Sequence, residues 1–272
     1  MKRIVLALGV VLVLGLVPAA GALAANYRLA VEPMYPPDQA QEVYKPLIDY
    51  LSRTTGHRFQ LVVSRNYHTY WRDLRNNSPV DFAFDDPHFV DFRIQRFGFV
   101  PVARNAQPTV YALLGQPELE GENVRALIGM PVACMPSPSL GFALLGEMYG
   151  NNPLAQPDIR SEAISWRDGV EMVFAGEVQG AMVPRPLPGK AFTASPKVPA
   201  EDVASVAKAL ETLHEDAELY DVLAELGAPR FEPATAAEYA GLEKILSGFY
   251  GYRTAPKPGQ EAAVEAEAAD GN

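Results

Sequence analysis

Residues 80–98 read VDFAFDDPHFVDFRIQRFG, in which a short apolar run meets a helical pattern across a polar turn. Residues 80–84 are apolar except for Asp81, and their number and aromatic content are typical of a buried strand. Beyond the turn, Val90, Ile94 and Phe97 recur at helical spacing, so their side chains share one face of a helix. The stretch therefore predicts a strand–turn–helix unit.

Strands alternate with helical patterns on both sides of this unit. Towards the N terminus, residues 27–31 and 59–63 each predict a strand followed by a helix, with Asp38 as the N-cap of the first helix. Towards the C terminus, residues 131–135 and 178–183 predict two more strands, with helical patterns between them. Such alternation is typical of parallel sheets covered by helices, so the fold class is α/β.

The last third of the chain is dominated by helical patterns. Thr235 and Glu238 form a capping box ahead of a predicted helix that reaches Phe249. Residues 254–272 are rich in Ala, Glu, Pro and Gly, which predicts a disordered tail.

The N terminus has the pattern of an export signal. Lys2 and Arg3 precede an apolar run over residues 4–17, and Ala22-Leu23-Ala24 supplies a cleavage motif. A membrane span needs about 20 apolar residues, so an uncleaved anchor is the less favoured alternative. We expect a signal peptide over residues 1–24, cleavage near Ala24/Ala25, and a periplasmic chain that does not insert into the membrane after cleavage.

Charge and cysteine content exclude several classes. The net charge of −10 becomes −12 when Lys2 and Arg3 are removed, which argues against a nucleic-acid partner. Cys134 is the single cysteine, so no intrachain disulfide forms, and its apolar surroundings predict a buried, inert thiol. We expect a monomer without a cofactor or a bound metal.

Four segments, in this order, carry a resemblance to a known family. They are YKPLIDYL (44–51), VDFAF (80–84), PSPSLG (136–141) and AGEVQGA (175–181). The chain resembles the periplasmic phosphate/phosphite/phosphonate-binding proteins of ABC transporters, which have the type 2 periplasmic-binding-protein fold. The resemblance implies two α/β lobes, residues 25–109 with 195–253 and residues 110–194, that close over a small ligand in the cleft between them. It also implies a membrane permease as partner and no catalysis.

Ser137 and Ser139 are the strongest site candidates. They lie in a loop between a predicted strand and a predicted helix, where hydroxyls, backbone N–H groups and the helix dipole suit an oxyanion. The resemblance implies that such a loop holds phosphoryl or phosphonyl oxygens, although Pro138 and Leu140 depart from the family pattern. The alternative is that the serines only cap the helix.

Two tyrosines follow predicted strands at places where the resemblance implies a cleft. Tyr35 follows the first strand, and Tyr67 follows the second, close to His68 and Tyr70. We expect Tyr35, and one of the three residues after the second strand, to contact a ligand. Simple packing is the alternative for each.

The turn Asp85-Asp86-Pro87-His88 departs most from the family, which has a small, mostly neutral turn there. Asp86 can be the N-cap of the following helix, with Asp85 solvated. Alternatively, Asp86 and His88 contact a ligand in the cleft. A metal site that includes His68 is the third alternative, but no metal-ligand spacing supports it.

Trp166 and Arg167 precede a predicted helix. The resemblance implies a His where Trp166 stands, so the family pocket is not reproduced in full. Arg167 can pair with an anion in the cleft or lie exposed on the first helical turn. We include both residues among the predicted ligand contacts.

Three functions compete at this point. The leading one is capture of a small oxyanion or phosphonate-like ligand for an ABC-type uptake system. The second is a sensor or accessory module of the same fold, docked on a membrane receptor, with a different ligand that can be neutral or cationic. The third is an exported enzyme with Asp85 and Asp86 as acid and base, but adjacent strand residues point to opposite sides and no hydrolase motif occurs.

Overall fold

The computed structural model describes residues 24–108, 110–163, 165–185 and 189–253. The predicted signal peptide, apart from Ala24, and the predicted tail over residues 254–272 lie outside these ranges. The first part of the chain contains β1 (Asn26–Val31), α1 (Pro37–Thr55), β2 (Arg58–Val63), α2 (Tyr67–Arg75), β3 (Phe82–Asp85), α3 (Pro87–Phe97) and β4 (Val100–Asn105).

The middle of the chain contains β5 (Val110–Gly115), two 3₁₀ turns (Pro117–Leu119 and Val124–Leu127), β6 (Pro131–Ala133), α4 (Leu140–Met148), β7 (Asp158–Arg160), α5 (Trp166–Phe174) and β8 (Gly180–Arg185). The last part contains β9 (Ala191–Ala194), α6 (Ala200–Thr212), 3₁₀ turns (Leu213–Glu215 and Ala217–Leu219), α7 (Tyr220–Glu225), β10 (Phe231–Pro233), α8 (Ala236–Tyr239) and a 3₁₀ segment (Leu242–Gly248).

The strands form two separate sheets, one in each lobe. The first sheet has the order β10-β4-β9-β3-β1-β2, and the second has the order β5-β8-β6-β7. The chain passes from the first sheet to the second between Asn105 and Val110, and it returns between Arg185 and Ala191. The predicted α/β class with two lobes is confirmed.

Both sheets are mixed, so the expectation of parallel sheets is only partly right. β1 pairs in parallel with β2 and β3, whereas β9 runs antiparallel to β3 and β4. Val31 lies opposite Val63 and Phe84, so the carboxyl ends of β1, β2 and β3 meet at one edge of the first sheet. Ligands of open α/β folds bind beyond this kind of edge.

Each lobe has its own apolar core. In the first lobe Phe84 stacks on Phe192 with ring centroids 4.5 Å apart, and Phe231 packs edge-on against both rings. In the second lobe Val132 and Leu145 are fully buried in a smaller cluster. Two cores imply that each lobe is held together largely by its own contacts.

Several sequence predictions for individual elements are wrong. Helix α1 begins at Pro37 with Pro36 as its N-cap, not Asp38, because proline suits the first helical position. The capping box of Thr235 and Glu238 is confirmed, but α8 ends at Tyr239. Gly241 then adopts a left-handed φ of 88°, which ends the helix that was expected to reach Phe249.

Within the described ranges, no helix combines the length and the apolar character needed to cross a bilayer.

Candidate functional site

A small cavity lies between the two sheets, beyond the carboxyl ends of β1 and β3. It encloses about 10 Å³, which is about the room that one water molecule needs. Both lobes contribute to its wall, which is formed by Met34, Tyr67, Tyr111, Cys134, Met135, Ser139, Gly141, Trp166 and Met182. A site that both lobes line is the place where their relative position is coupled to binding.

A buried ionic group lies directly beside this cavity. The Lys190 Nζ atom is 3.6 Å from Glu32 Oε1 and 3.6 Å from Asp86 Oδ1, and the three side chains are at most 3% exposed. Nζ also lies 3.0 Å from the sulfur of Met34, which lines the cavity. We call Lys190, Glu32 and Asp86 the Lys190 cluster.

Two phenols connect the Lys190 cluster to the cavity wall. Tyr67 OH donates to Glu32 Oε2 at 2.8 Å, and Tyr111 OH donates to Asp86 Oδ2 at 3.2 Å. Burial, and then the nearby carboxylates, raise the pKa of both phenols, so they stay neutral donors. Because Tyr111 lies on β5 and Asp86 follows β3, the second bond joins the two lobes.

Gly141 leaves room for the Tyr111 ring in this position. A Cβ atom at residue 141 would stand 3.0 Å from Cε1 of the Tyr111 ring, which is closer than ordinary packing allows. Only glycine therefore leaves the ring free to reach Asp86 without a shift of its neighbours.

Burial has opposite consequences for the members of the Lys190 cluster. Burial, followed by the charge of Asp86, raises the pKa of Glu32 to about 8. Burial alone would lower the pKa of Lys190, but Asp86 and Glu32 raise it above its usual value, so Lys190 is a cation at neutral pH. The cluster therefore contains one firm positive charge and a carboxyl group that titrates near neutrality.

His88 lies at the same edge and contacts the loop that contains Ser137 and Ser139, which we call the Ser loop. Its Nε2 donates to the carbonyl oxygen of Pro138 at 3.1 Å, and the Ser137–Pro138 peptide bond is cis. Burial lowers the pKa of His88 to about 4, so the ring is neutral and Nδ1 is an acceptor. Among the described residues, neither His88 Nδ1 nor Asp86 Oδ1 has a hydrogen-bond partner.

Asp85 and Asp86 have different surroundings, and the predicted solvation of Asp85 is wrong. Asp85 is fully buried, its Oδ2 accepts from Arg93 Nε at 2.6 Å, and it also accepts from Tyr70 OH. Asp86 occupies the N-cap position of α3, but its side chain makes no capping hydrogen bond. Its carboxylate instead faces Lys190 and Tyr111.

In the Ser loop, the Ser139 hydroxyl forms its hydrogen bonds with neighbouring backbone groups. Ser139 is the N-cap of α4, where its Oγ accepts from the N–H of Phe142 at 3.2 Å and donates to the carbonyl of Met135 at 3.1 Å. It also lines the cavity, whereas Ser137 is half-buried on the loop. The capping interpretation holds for Ser139, and contact of either serine with a ligand remains a prediction.

Tyr35 and Arg167 meet at Glu225 rather than at the cavity. Tyr35 OH donates to Glu225 Oε2 at 2.9 Å, and the half-exposed Arg167 guanidinium lies 3.3 Å from Glu225 Oε1. Arg167 also covers the ring of Trp166, which lines the cavity. Because Arg167 belongs to α5 and Glu225 to α7, this pair is a second polar link between the lobes.

A capping box fixes the start of the helix that carries Trp166 and Arg167. The Ser165 hydroxyl accepts from the N–H of Asp168, and the Asp168 carboxylate accepts from the N–H of Ser165. We expect Ser165→Ala to lower the free energy of unfolding by about 1 kcal/mol in urea titrations, because the partly buried N–H of Asp168 loses its acceptor. The exposed control Ser247→Ala is expected to change it by less than about 0.5 kcal/mol; equal effects would contradict the capping role.

The structure thus brings together some predicted site residues and separates others. Tyr67, Ser139 and Trp166 line the cavity, Asp86 and His88 lie directly beside it, and Tyr35, Ser137 and Arg167 lie outside its wall. The sequence analysis missed Glu32, Tyr111 and Lys190. Glu32 follows β1 directly, so the rule that parallel carboxyl ends share an edge was an available signal for it.

The metal alternative gains no support. In the described part of the chain, no three His, Cys, Asp or Glu side chains are grouped as a metal site requires. His68, the residue proposed to complete such a site, is exposed on α2, whereas His88 is buried.

Comparison with known proteins agrees with the geometry. Residues 29–149 match the family model described as "ABC transporter, phosphonate, periplasmic substrate-binding protein". No curated protein is similar enough in sequence to match the chain.

Similar folds occur in solved structures at 12% sequence identity. A Prochlorococcus marinus protein in complex with methylphosphonate has a TM-score of 0.66 and covers 82% of this chain and 97% of its own. A binding protein component of an ABC phosphonate transporter from Pseudomonas aeruginosa also has a TM-score of 0.66, with 91% and 96% covered. A Xanthomonas citri protein bound to ATP has a TM-score of 0.62, with 82% and 96% covered.

The matched family model describes a substrate-binding protein, which supports the expected binding function over the paired-carboxylate enzyme hypothesis. With its two mixed sheets and the cavity between them, the chain has the type 2 periplasmic-binding-protein fold, and residues 29–149 are similar to the phosphonate-binding periplasmic proteins of ABC transporters.

Proposed function

We propose that this chain is an exported solute-binding protein that captures a small, phosphonate-like oxyanion between its lobes and delivers it to an ABC-type permease. The observation that carries the proposal is the buried Lys190 cation beside a cavity that both lobes line. A fixed cation in a dry site attracts an anion much more strongly than one in water. The N terminus of α4, capped by Ser139, adds a partial positive charge on the opposite wall.

The lobes are proposed to divide as residues 25–109 with 195–253 and residues 110–194, with the signal peptide over residues 1–24 removed on export. The two crossings between the sheets support this division, because a rotation needs to bend only these two segments. The narrow cavity implies that the lobes separate when a ligand enters. Tyr35, Ser137 and Arg167 are proposed to reach the ligand through this movement.

A thermal-shift panel on the protein purified from the periplasm of a host bacterium tests this proposal. We expect methylphosphonate or a related oxyanion at 100 times its dissociation constant to add about 2.7 kcal/mol, or about 5–10 °C in Tm. Lys190→Gln is expected to abolish the shift, while Lys197→Gln, at an exposed position, keeps it. A flat response to every oxyanion would contradict the proposal.

One observation favours a second candidate, in which the ligand is neutral or cationic. Asp86 Oδ1 and His88 Nδ1 are buried acceptors without a hydrogen-bond partner among the described residues, and such atoms attract a ligand that donates hydrogen bonds. Alkylamines and amino acids belong in the same panel for this reason. A Tm increase with amines and none with oxyanions would support this candidate and contradict the first.

A further inference from the structure

We propose that the first lobe holds a second ligand site, outside the cleft, for a small monocarboxylate that bears an apolar group. The site is a cavity of about 310 Å³ on the side of the first sheet that α2 and α3 cover, and we call it the outer cavity. Binding sites for small molecules usually enclose at least about 300 Å³. The outer cavity shares no lining residue with the small cavity between the two sheets, so the inference does not depend on the proposed function.

The first two strands form the floor of the outer cavity. Ala30 of β1 lies opposite Val62 of β2 in their parallel pair. Arg28 and Ser64 lie two residues away from them along the chain, so all four side chains face the same side of the sheet. The rest of the wall comes from α2, from the loop before β3 and from α3, and it consists of Tyr70, Asp73, Leu74, Ser78, Pro79, Val80 and Arg93.

A buried guanidinium supplies a fixed positive charge. Arg93 is 4% exposed, its Nε donates to Asp85 Oδ2 at 2.6 Å, and its Nη2 donates to Tyr70 OH at 3.1 Å. These two bonds hold the guanidinium in place, so a ligand pays little entropy to order it. The Nη1 atom has no hydrogen-bond partner among the residues that the structure describes. Because Arg93 lines the outer cavity, its Nη1 can donate to a ligand there.

Ser64 is a second buried donor in the same wall. It is 8% exposed, and within the described ranges its hydroxyl forms no hydrogen bond with another residue. Nearly all buried polar groups have a partner, so a hydroxyl without a protein partner indicates that water or a ligand supplies one. Arg93 Nη1 and the Ser64 hydroxyl together offer donors to both oxygens of a carboxylate.

The charges around the outer cavity favour a ligand with a single negative charge. Among the lining residues, Arg28 and Arg93 are cations and Asp73 is a carboxylate, which leaves one positive charge in excess. Asp73 is paired with Arg72 at 2.8 Å, and the nearby Asp81 carboxylate accepts from the backbone N–H of Arg28 at 2.8 Å. A dianion would meet stronger repulsion from these two carboxylates than a monoanion does.

Apolar side chains make up much of the remaining wall. Val62 and Ala30 lie on the floor, and Leu74, Pro79 and Val80 lie on the sides. A carboxylate that carries an apolar group covers this surface and removes it from water, whereas formate or acetate leaves most of it wet. Benzoate combines one carboxylate with a flat apolar ring, so it is the probe for this site.

Titration of the isotope-labelled protein with benzoate, followed by two-dimensional NMR, tests the inference. We expect saturable shifts of the amide signals of Ala30, Val62 and Ser64, with a dissociation constant of about 1 mM or lower. Benzamide has the same shape without the charge, and we expect it to bind at least about tenfold more weakly. The absence of saturable shifts, or shifts confined to the residues around the small cavity between the two sheets, would overturn the inference.

Ser64→Ala and Arg28→Gln are the matched variants, because neither side chain forms a hydrogen bond or an ion pair among the described residues. We expect Ser64→Ala to weaken benzoate binding about tenfold and Arg28→Gln about threefold, since an exposed charge contributes less. The exposed controls Ser247→Ala and Arg58→Gln are expected to keep the wild-type affinity. Wild-type affinity in Ser64→Ala would contradict the site. Failure of the thermal-shift panel with oxyanions would affect only the proposed function, because that panel reports on the cleft.

Discussion

Replacement of Lys190 by methionine is expected to lower the free energy of unfolding by about 3–5 kcal/mol at pH 8, because it leaves Glu32 and Asp86 buried without their cation. Methionine keeps the length of the side chain, so loss of packing contributes little. Urea titrations of the purified variant measure the effect. The exposed control Lys197→Met is expected to stay within about 0.5 kcal/mol of the wild-type value.

The pH dependence and a double variant sharpen this prediction. The Lys190→Met variant is expected to recover stability as the pH falls towards 5, because a buried carboxyl can then take up a proton. Asp86→Asn combined with Lys190→Met removes the carboxylate that lost its cation, so the double variant is expected to be more stable at pH 8 than Lys190→Met alone. A Lys190→Met variant as stable as the wild-type protein at pH 8 would contradict the assignment of this cluster as an ion-paired group.

The second large effect concerns Glu32 and the dependence of stability on pH. The pKa of Glu32 is raised from an ordinary value of 4.5 to about 8 in the folded protein, chiefly by burial. Between these two values the folded state holds a proton that the unfolded chain has lost. Its contribution to stability is therefore fully present below about pH 4.5 and is lost as the pH rises through about 8.

Glu32→Gln is expected to abolish that part of the pH dependence. Each unit of pKa difference corresponds to about 1.4 kcal/mol, so the difference in unfolding free energy between variant and wild type changes in favour of the variant by at most about 5 kcal/mol from pH 5 to pH 9. Urea titrations at several pH values measure it. Glu42→Gln, at an exposed position of α1, serves as the control with a wild-type slope. A parallel pair of curves for Glu32→Gln and the wild-type protein would refute the shifted pKa.

Local patterns predicted most of the elements that frame the site. Val90, Ile94 and Phe97 share a helical spacing, and α3 follows at Pro87–Phe97. The strand Ala191–Ala194 escaped prediction because four buried residues, AFTA, show no alternation to distinguish them from a loop. Other short, fully buried strands that join a sheet from a distant part of the chain are difficult to predict for the same reason.

The Lys190 cluster beside the cavity was harder to predict because its charged residues come from distant segments of the chain. Lys190 and Glu32 are separated by more than half of the chain, and only the return of β9 into the first sheet brings them together. The burial of Asp85 and its ion pair with Arg93 could not be predicted either, because the helical pattern does not show whether Arg93 faces Asp85 or the solvent. Spacing therefore indicated which loops matter, and the tertiary structure determined which side chains meet.

The position of Lys190 has a consequence for the order of events in capture. Lys190 lies on one crossing segment, and its carbonyl accepts from the N–H of Asn105 on the other, so the two crossings are bonded to each other. In the proposed rotation this point lies close to the hinge and moves little. The Arg167–Glu225 pair lies far from the hinge, so its two residues move a long way apart. Lys190 therefore keeps its position when the two lobes are open. Under the proposed function, an anion therefore contacts Lys190 first, and the Arg167–Glu225 ion pair forms afterwards and holds the lobes closed.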